Sequence, residues 1–550
     1  MKKIIFSIFT LMTIALGACT DDLNQRPVTE TDADAVYADA NNYELVLAKL
    51  YASYVIVGQE KGGGNADIAS NNGHDFLRGY FNLQEGPTEE MAATWLSGDK
   101  MEDLSYMTWD ANDPWVADTY YRLYYTITLC NEFLRHAGDD AIGGFTSEQQ
   151  AKIVKFRAEA RFLRALAYYY VLDLFGKGPF VDETMSIGAF IPEAYSNSQL
   201  FAYIESELKA IENDLSDRST VTYGHAPQGA AWALLARLYL NAEVYGGGNH
   251  YTDCISYCKK IINGGYSLAK ESITYNKEVE IDDEKVTVSI TMPPYATLFS
   301  ADNDKRTNEL IFNFVVDGTN TVSWGATTYI VCGQCGNSSS QRAADYGLTS
   351  GWGMFRVRGE LPELFGDVNT TADSRAMFFT TDQQQWLDKA IDDQAYGYFG
   401  EKYSNLDDNG NAASDTGADG ANIDFPVFRL ADVYLMAAEA VLRGGSGYTT
   451  TDALQFVNEI RERAYGDQSG NITADKLNLR FILDERAREL YWECVRRTDL
   501  IRYGLFTGGD YLWQWKGGTV DGRATNSRYN VYPIPTAELS ANPNLKNPNY

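Results

Sequence analysis

The chain has 550 residues, of which 45 % are hydrophobic and 13 % aromatic, so it can bury a large core. Its formal net charge of −29 argues against nucleic acid as a partner, because that affinity rests on Lys and Arg neutralising phosphates. Only four histidines are present (His74, His136, His225 and His250), none close to another in sequence, which disfavours a metalloenzyme.

The chain opens "MKKIIFSIFTLMTIALGACTDD". Lys2 and Lys3 precede an uncharged apolar run over 4–16, too short for a bilayer core that takes roughly 20 residues. It reads as a signal-peptide core. The run ends in "LGAC", and small residues directly before a cysteine resemble a bacterial lipoprotein signal. That resemblance implies removal of residues 1–18 and acylation of Cys19. Acyl chains give peripheral membrane attachment of about 0.8 kcal/mol per buried CH₂. An ordinary secretory signal with Cys19 incidental is the alternative. No later stretch reaches transmembrane length, and 19–550 reads as one domain with inserted loop regions at about 58–115 and 268–425.

Most of the remaining periodicity is helical. Over 147–175, Ile153, Phe156, Ala160, Leu163, Ala167, Tyr170 and Leu174 recur at spacings of three and four, with Arg157, Arg161 and Arg164 on another face. A capping box of Ser147 with Gln150 is expected to open this helix. "APQGAAWALLARLYLNAEVYG", with Pro227 in the first turn, is followed by "YTDCISYCKKIINGGYSL". Together they form a helix pair of tetratricopeptide length, about 34 residues. "FPVFRLADVYLMAAEAVLRGG" and "TTDALQFVNEIRERAYG" form a second pair, and "RFILDERARELYWECVRRTDLIRYG" predicts one long closing helix.

The intervening stretches are aperiodic. Residues 58–115 and 318–356 are rich in Gly, Asn, Ser and Trp, 279–290 reads as a hairpin with an acidic turn, and 403–424 is a polar loop. Loops this long are usually functional or disordered, and disorder is poor in aromatics. Trp95 ("AATWLSGD"), Trp324 ("TVSWGATT") and Trp352 ("TSGWGMF") lack helical core spacing. Flat aromatic faces suit the apolar C–H surfaces of pyranose rings; buried anchors for the loops are the other reading. Trp492 reads as core, and Trp513 and Trp515 as alternating strand residues that pack.

Catalytic patterns are weak. Paired carboxylates serve glycoside hydrolysis, but Asp484, Glu485, Glu489 and Glu493 are interleaved with arginines. Spacings such as Asp484–Arg488 and Glu493–Arg497 give ion pairs that lower carboxylate pKa values. Cys332 and Cys335 form a C-x-x-C between a strand-like run and a polar loop. An exported chain removes the cytosolic redox context. No second C-x-x-C or His pair completes a zinc site, which leaves a structural element or a local disulfide that stiffens the loop joining Trp324 to Trp352. The other cysteines, Cys130, Cys254, Cys258 and Cys494, read as small core residues in helices.

"RAEARFLRALAYYYVLDLFGKGPFV", "FRLADVYLMAAEAVLR", "ILDERARELYWECVRRTDLIRYG" and the ending "YPIPTAELSANPNLKNPNY" resemble the SusD/RagB family, surface glycan-binding lipoproteins of Bacteroidetes. The resemblance runs from Cys19 to Tyr550, and Asp21 and Asp22 resemble the family's surface-export signal. It implies a mostly α fold, tetratricopeptide-like helix pairs carrying irregular loops and minor β-hairpins that form the ligand site. It also implies binding without catalysis, delivery of oligosaccharides to a TonB-dependent SusC-like transporter, and attachment to the outer membrane at the cell surface. "DFLRGYFNLQEGPTEEM" and "TTYIVCG" further resemble the family's starch-binding type. By that likeness an aromatic arc for α-glucan falls on Trp95, Trp324 and Trp352, and a hydroxyl-binding arginine on Arg78. The arc position of Trp324 is tyrosine in that type, and its amide ligand falls on Gly98 or Asp99 here. The hairpin could reshape one rim. No cofactor is required, although Asp304, Asn308 and Asp424 fall near positions that hold calcium in the starch-binding type, with Lys305 and Arg306 opposing a cation. A surface glycoside hydrolase and a scaffold that binds only protein are the competing readings.

Overall fold

The computed structural model describes residues 33–550 apart from 71–73, 187, 189, 282–283, 337 and 414–419. The signal segment, Cys19, Asp21 and Asp22 lie outside the described residues. Among the described residues no helix is long and apolar enough to cross a membrane.

Helices dominate. The ones that position the site are α1 (Asn42–Ala52), α2 (Phe76–Glu85), α3 (Pro114–His136), α4 (Ser147–Phe175), α5 (Asn197–Ile211), α6 (Gln228–Leu240) and α7 (Tyr251–Ile262). After the insertion come α8 (Ala326–Gly333), α9 (Leu430–Leu442), α10 (Thr450–Tyr465), α11 (Leu479–Leu490) and α12 (Arg496–Arg502). The expected pairs form: α6 packs on α7 and α9 on α10. Contact between α7 and α9 then joins the two pairs across the whole inserted region, while α3, α4 and α5 pack in succession beside them. Ile153, Leu163, Ala167 and Leu174 of α4 are buried at 1 % exposure or less, which is the apolar face the spacing predicted.

Three local expectations change. The box that opens α4 is Thr146 with Gln149, one residue earlier than Ser147 with Gln150, because both pairs satisfy the same spacing. The closing helix is broken. Residues 491–495 leave the helix between α11 and α12, and Trp492 (φ 60°) and Cys494 (φ 61°) adopt the left-handed region. That conformation costs roughly 1–2 kcal/mol per non-glycine residue. Buried carboxylates at the end of α2 and in the turn after it offset it: Trp492 N donates to Glu90 Oε2 at 3.1 Å and Cys494 N to Glu85 Oε1 at 2.7 Å. Finally, "TTYIVCG" is helical (α8), not strand-like, and Trp515 has a left-handed backbone (φ 67°) rather than a strand's.

The strands are few. The hairpin pairs β2 (Ile273–Ile281) with β3 (Glu284–Met292), longer than the sequence suggested. Strand β4 (Leu310–Phe314) runs antiparallel to β6 (Phe425–Arg429), closing the insertion just before α9.

Candidate functional site

The site begins with Asp75. Its carboxylate caps α2, accepting Arg78 N at 3.0 Å, and also accepts Ser323 Oγ at 3.0 Å and Ala326 N at 3.2 Å. One buried side chain therefore fixes both flanks of Trp324 against the start of α2. Gly325 is required by this contact, since a Cβ there would lie 1.6 Å from Asp75 Oδ2. Burial raises the Asp75 pKa, against hydrogen bonds from Arg78, Ala326 and Ser323 that favour the carboxylate.

Arg78, on the first turn of α2, is 4 % exposed. Its Nη1 donates to the Trp324 carbonyl at 2.7 Å, and its Nη2 donates to both oxygens of Asp99 at 3.1 and 3.0 Å. The guanidinium lies 4.2 Å over the Tyr329 ring and 5.5 Å over Trp115. Asp99 N donates to Trp95 O at 3.1 Å, and Trp115 Nε1 donates to Asp99 O at 2.8 Å. Arg78 thus joins the Trp95 loop to the Trp324 loop, and its strongest donors are already committed to doing so. Burial raises the Asp99 pKa while Arg78 opposes the rise. His74 stacks on Trp115 at 5.3 Å, and burial with Arg78 and Arg122 nearby pushes its pKa down to about 3.

Trp352 arrives from the other side. Strand β1 (Ala92–Ala93) pairs with β5 (Phe355–Arg356), and Thr94 N donates to Met354 O at 2.7 Å, beside Trp95. The C-x-x-C supports this turn. Trp352 N donates to Cys332 O at 2.7 Å, Gly353 N to Cys335 O at 2.8 Å and Met354 N to Gly333 O at 2.8 Å. Both cysteines are buried, and Cys335 Sγ lies 3.9 Å from Gln341 O, so the segment is a structural support at the end of a helix. Trp95 and Trp324 are 47 % and 49 % exposed; Trp352 is half-buried and packs against the core. Gly98 supplies no side chain there, and a Cβ built on it would meet nothing within 4 Å.

Sequence reasoning missed Asp75, Trp115 and Tyr329. An Asp three residues before Arg78 at a helix start signalled the cap, and a Gly directly after Trp324 signalled a close approach.

The other expected groups are placed elsewhere. Asp424 receives Val316 N at 2.8 Å and the Tyr223 hydroxyl on its two oxygens. Burial lifts its pKa to about 6 against those bonds, with Asp304 adding to the rise. Asn308 points its amide at Ser267 O, 3.1 Å away. Lys305 binds Asp302, and Arg306 and Lys305 both reach Asp408. Calcium takes six to eight oxygen ligands, waters included, and here Asp424 and Asn308 already spend their side chains on protein partners, with Lys305 and Arg306 between Asp304 and Asn308 in the chain. Among the described residues no group of three His, Cys, Asp or Glu side chains is placed to hold a metal.

The C-terminal carboxylates are ion-paired, with partners other than those spacing suggested. Asp484 pairs with Arg480, Glu485 with Arg375, Arg461 and Arg488, and Glu489 with Arg375, Arg429 and Arg463. Glu493 pairs with Lys402 and Arg429, whereas Arg497 faces Asp173. The broken helix is why Glu493 and Arg497 do not meet. Burial would raise Glu489, yet Arg463, Arg429 and Arg375 hold it down at about 2. Such a carboxylate is no general acid.

A scaffold of helix pairs carrying loop-borne tryptophans, with the C-terminal carboxylates tied to arginines, defines a binding protein rather than an enzyme. The comparisons with known proteins agree. A model described as "SusD family" matches residues 380–550. The Starch-binding protein SusD of Bacteroides thetaiotaomicron is 31 % identical over 99 % of this chain and 98 % of its own. SusD-like protein P25 of Formosa agariphila is 26 % identical over 98 % and 97 %. Among solved structures, a SusD homolog from Bacteroides thetaiotaomicron superposes with TM-score 0.70 at 17 % identity, covering 95 % of this chain and 99 % of that one. Surface glycan-binding protein A from Bacteroides fluxus superposes with TM-score 0.65 at 18 % identity, covering 93 % and 99 %. The chain belongs to the SusD/RagB family.

Proposed function

We propose that this protein captures starch-like α-glucan oligosaccharides on the rim of Trp95, Trp324 and Trp352 and passes them to a TonB-dependent transporter. Acyl chains on Cys19 hold it at the outer surface of the outer membrane. The observation that carries the reading is the Arg78 bridge. By binding the Trp324 carbonyl and Asp99 together, it holds two half-exposed indoles on one preformed surface. Aromatic side chains supply contact area at low ordering cost, and the free edges of Asp99 and the loop backbone suit sugar hydroxyls. The 31 % identity to a starch-binding relative supports the α-glucan class. Delivery rests on the family resemblance, and anchoring on the resemblance of the "LGAC" stretch to a lipoprotein signal.

Native electrophoresis through gels containing soluble starch tests the ligand. Wild type is expected to be retarded, and Trp324→Ala to lose most of that retardation while keeping its thermal unfolding midpoint. Equal mobility of wild type with and without starch would refute the assignment.

A further inference from the structure

We propose a second carbohydrate subsite, separate from the rim, in the cleft between the start of α6 and strand β4. The cleft holds about 250 Å³ and is lined by Arg218, Tyr223, His225, Tyr266 and Asn313, with Val315 at its mouth. An adjoining apolar cleft of about 280 Å³ shares Tyr223, His225 and Val315 with it. Tyr223 and Val315 are 41 % and 37 % exposed, so an aromatic ring and an aliphatic side chain face solvent together.

The aromatic face is fixed in place. The Tyr223 hydroxyl donates to Asp424 and accepts from Asn313 Nδ2 at 3.1 Å, which pins the ring by its edge. Beneath it the Arg218 guanidinium lies 4.8 Å over the Tyr266 ring and donates to Thr307 O at 3.2 Å. Three polar atoms of this lining have no hydrogen-bond partner among the described residues: Tyr266 Oη, Asn313 Oδ1 and Arg218 Nε. Tyr266 and Asn313 are only 8 % and 7 % exposed, where an unpaired polar group costs about 1–3 kcal/mol.

The set of unpaired atoms selects the ligand. It comprises one acceptor (Asn313 Oδ1), one donor (Arg218 Nε) and one hydroxyl able to do either. An anion would meet the Asn313 oxygen and the nearby Asp424, and a cation would meet Arg218. A neutral group with several hydroxyls avoids both conflicts, and the Tyr223 face receives the apolar side of a ring. The cleft's size admits one or two pyranose units, small against typical ligand pockets of about 300–1,000 Å³.

The test uses the full soluble chain without its lipid, as wild type and with Trp95→Ala plus Trp324→Ala to disable the rim. Crystals of both are soaked in D-glucose and in maltotriose, and binding is titrated calorimetrically. The expected result is sugar density against Tyr223 in both proteins. Val315→Trp, which fills the mouth without touching the Asp424 contacts, removes that density. It also weakens the residual binding of the rim variant by about tenfold, ~1.4 kcal/mol, and leaves the rim of the otherwise native chain within about twofold. Tyr223→Phe, which keeps the ring, retains the density. Ordered water alone in the cleft at saturating sugar, or residual binding indifferent to Val315→Trp, overturns the subsite. Failure of the rim reading looks different: wild type and rim variant would then bind alike while the Tyr223 density persists.

Discussion

At the scale of single residues, Arg78 ties two loops together. The family likeness makes it a hydroxyl ligand, but its buried guanidinium spends its Nη donors on Trp324 O and Asp99. In this structure it positions the two loops, and Asp99, one of the two positions onto which the amide of the starch-binding type falls, is its counter-ion. Asp99→Ala is expected to leave Arg78 half-satisfied and release the Trp95 loop, weakening α-glucan binding by about tenfold. Asp99→Asn, which keeps an acceptor, should recover part of that loss; calorimetry on the two variants checks the order. Gly325 is stricter. Placing a methyl 1.6 Å from Asp75 Oδ2 should cost about 1–3 kcal/mol of stability, read as a lower denaturation midpoint. The exposure of Trp95 and Trp324 was legible because Trp among Gly and Ser has no helical reason to be there. Asp75 was legible only as the cap on α2, because its other partners, Ser323 and Ala326, lie some 250 positions away.

At the scale of elements, the helices were legible wherever an apolar stripe repeated over many turns, as in α4. What was lost was local competition. Thr146 and Ser147 both offer a capping box. A short β-branched run such as "TTYIVCG" suits strand or helix equally until tertiary contacts choose. The break between α11 and α12 was invisible because the residues that reward it, Glu85 and Glu90, belong to another part of the chain. Arg429, at the end of β6, ties this region to the insertion by binding Glu309, Glu489 and Glu493. Arg429→Met is expected to strand those carboxylates and cost about 3–5 kcal/mol. Chemical denaturation measures the loss, and an unchanged midpoint would show that the cluster relaxes around the gap.

For the whole molecule, buried ion pairs couple stability to pH. Glu489 and Glu439 are both held at about 2 although burial alone would raise them, because arginines surround each: Arg463, Arg429 and Arg375 at Glu489, Arg502 and Arg443 at Glu439. Their folded pKa values lie below the ordinary glutamate value of 4.5, so their contribution is complete above that pH. It is lost as pH falls from 4.5 toward 2, since the unfolded state then binds more protons. Below about pH 5 thermal midpoints should therefore fall steeply as these two carboxylates protonate. The same arginine saturation is what removes these carboxylates from acid–base chemistry and leaves the molecule a binding surface. That surface is the central claim, and a crystal structure of the chain with a malto-oligosaccharide of about seven glucose units tests it most directly, since such a chain spans several aromatic contacts. The account predicts continuous sugar density stacked on Trp95, Trp324 and Trp352 with hydroxyls at Asp99. Density confined to any other surface, with all three indoles bare at saturating ligand, would contradict it.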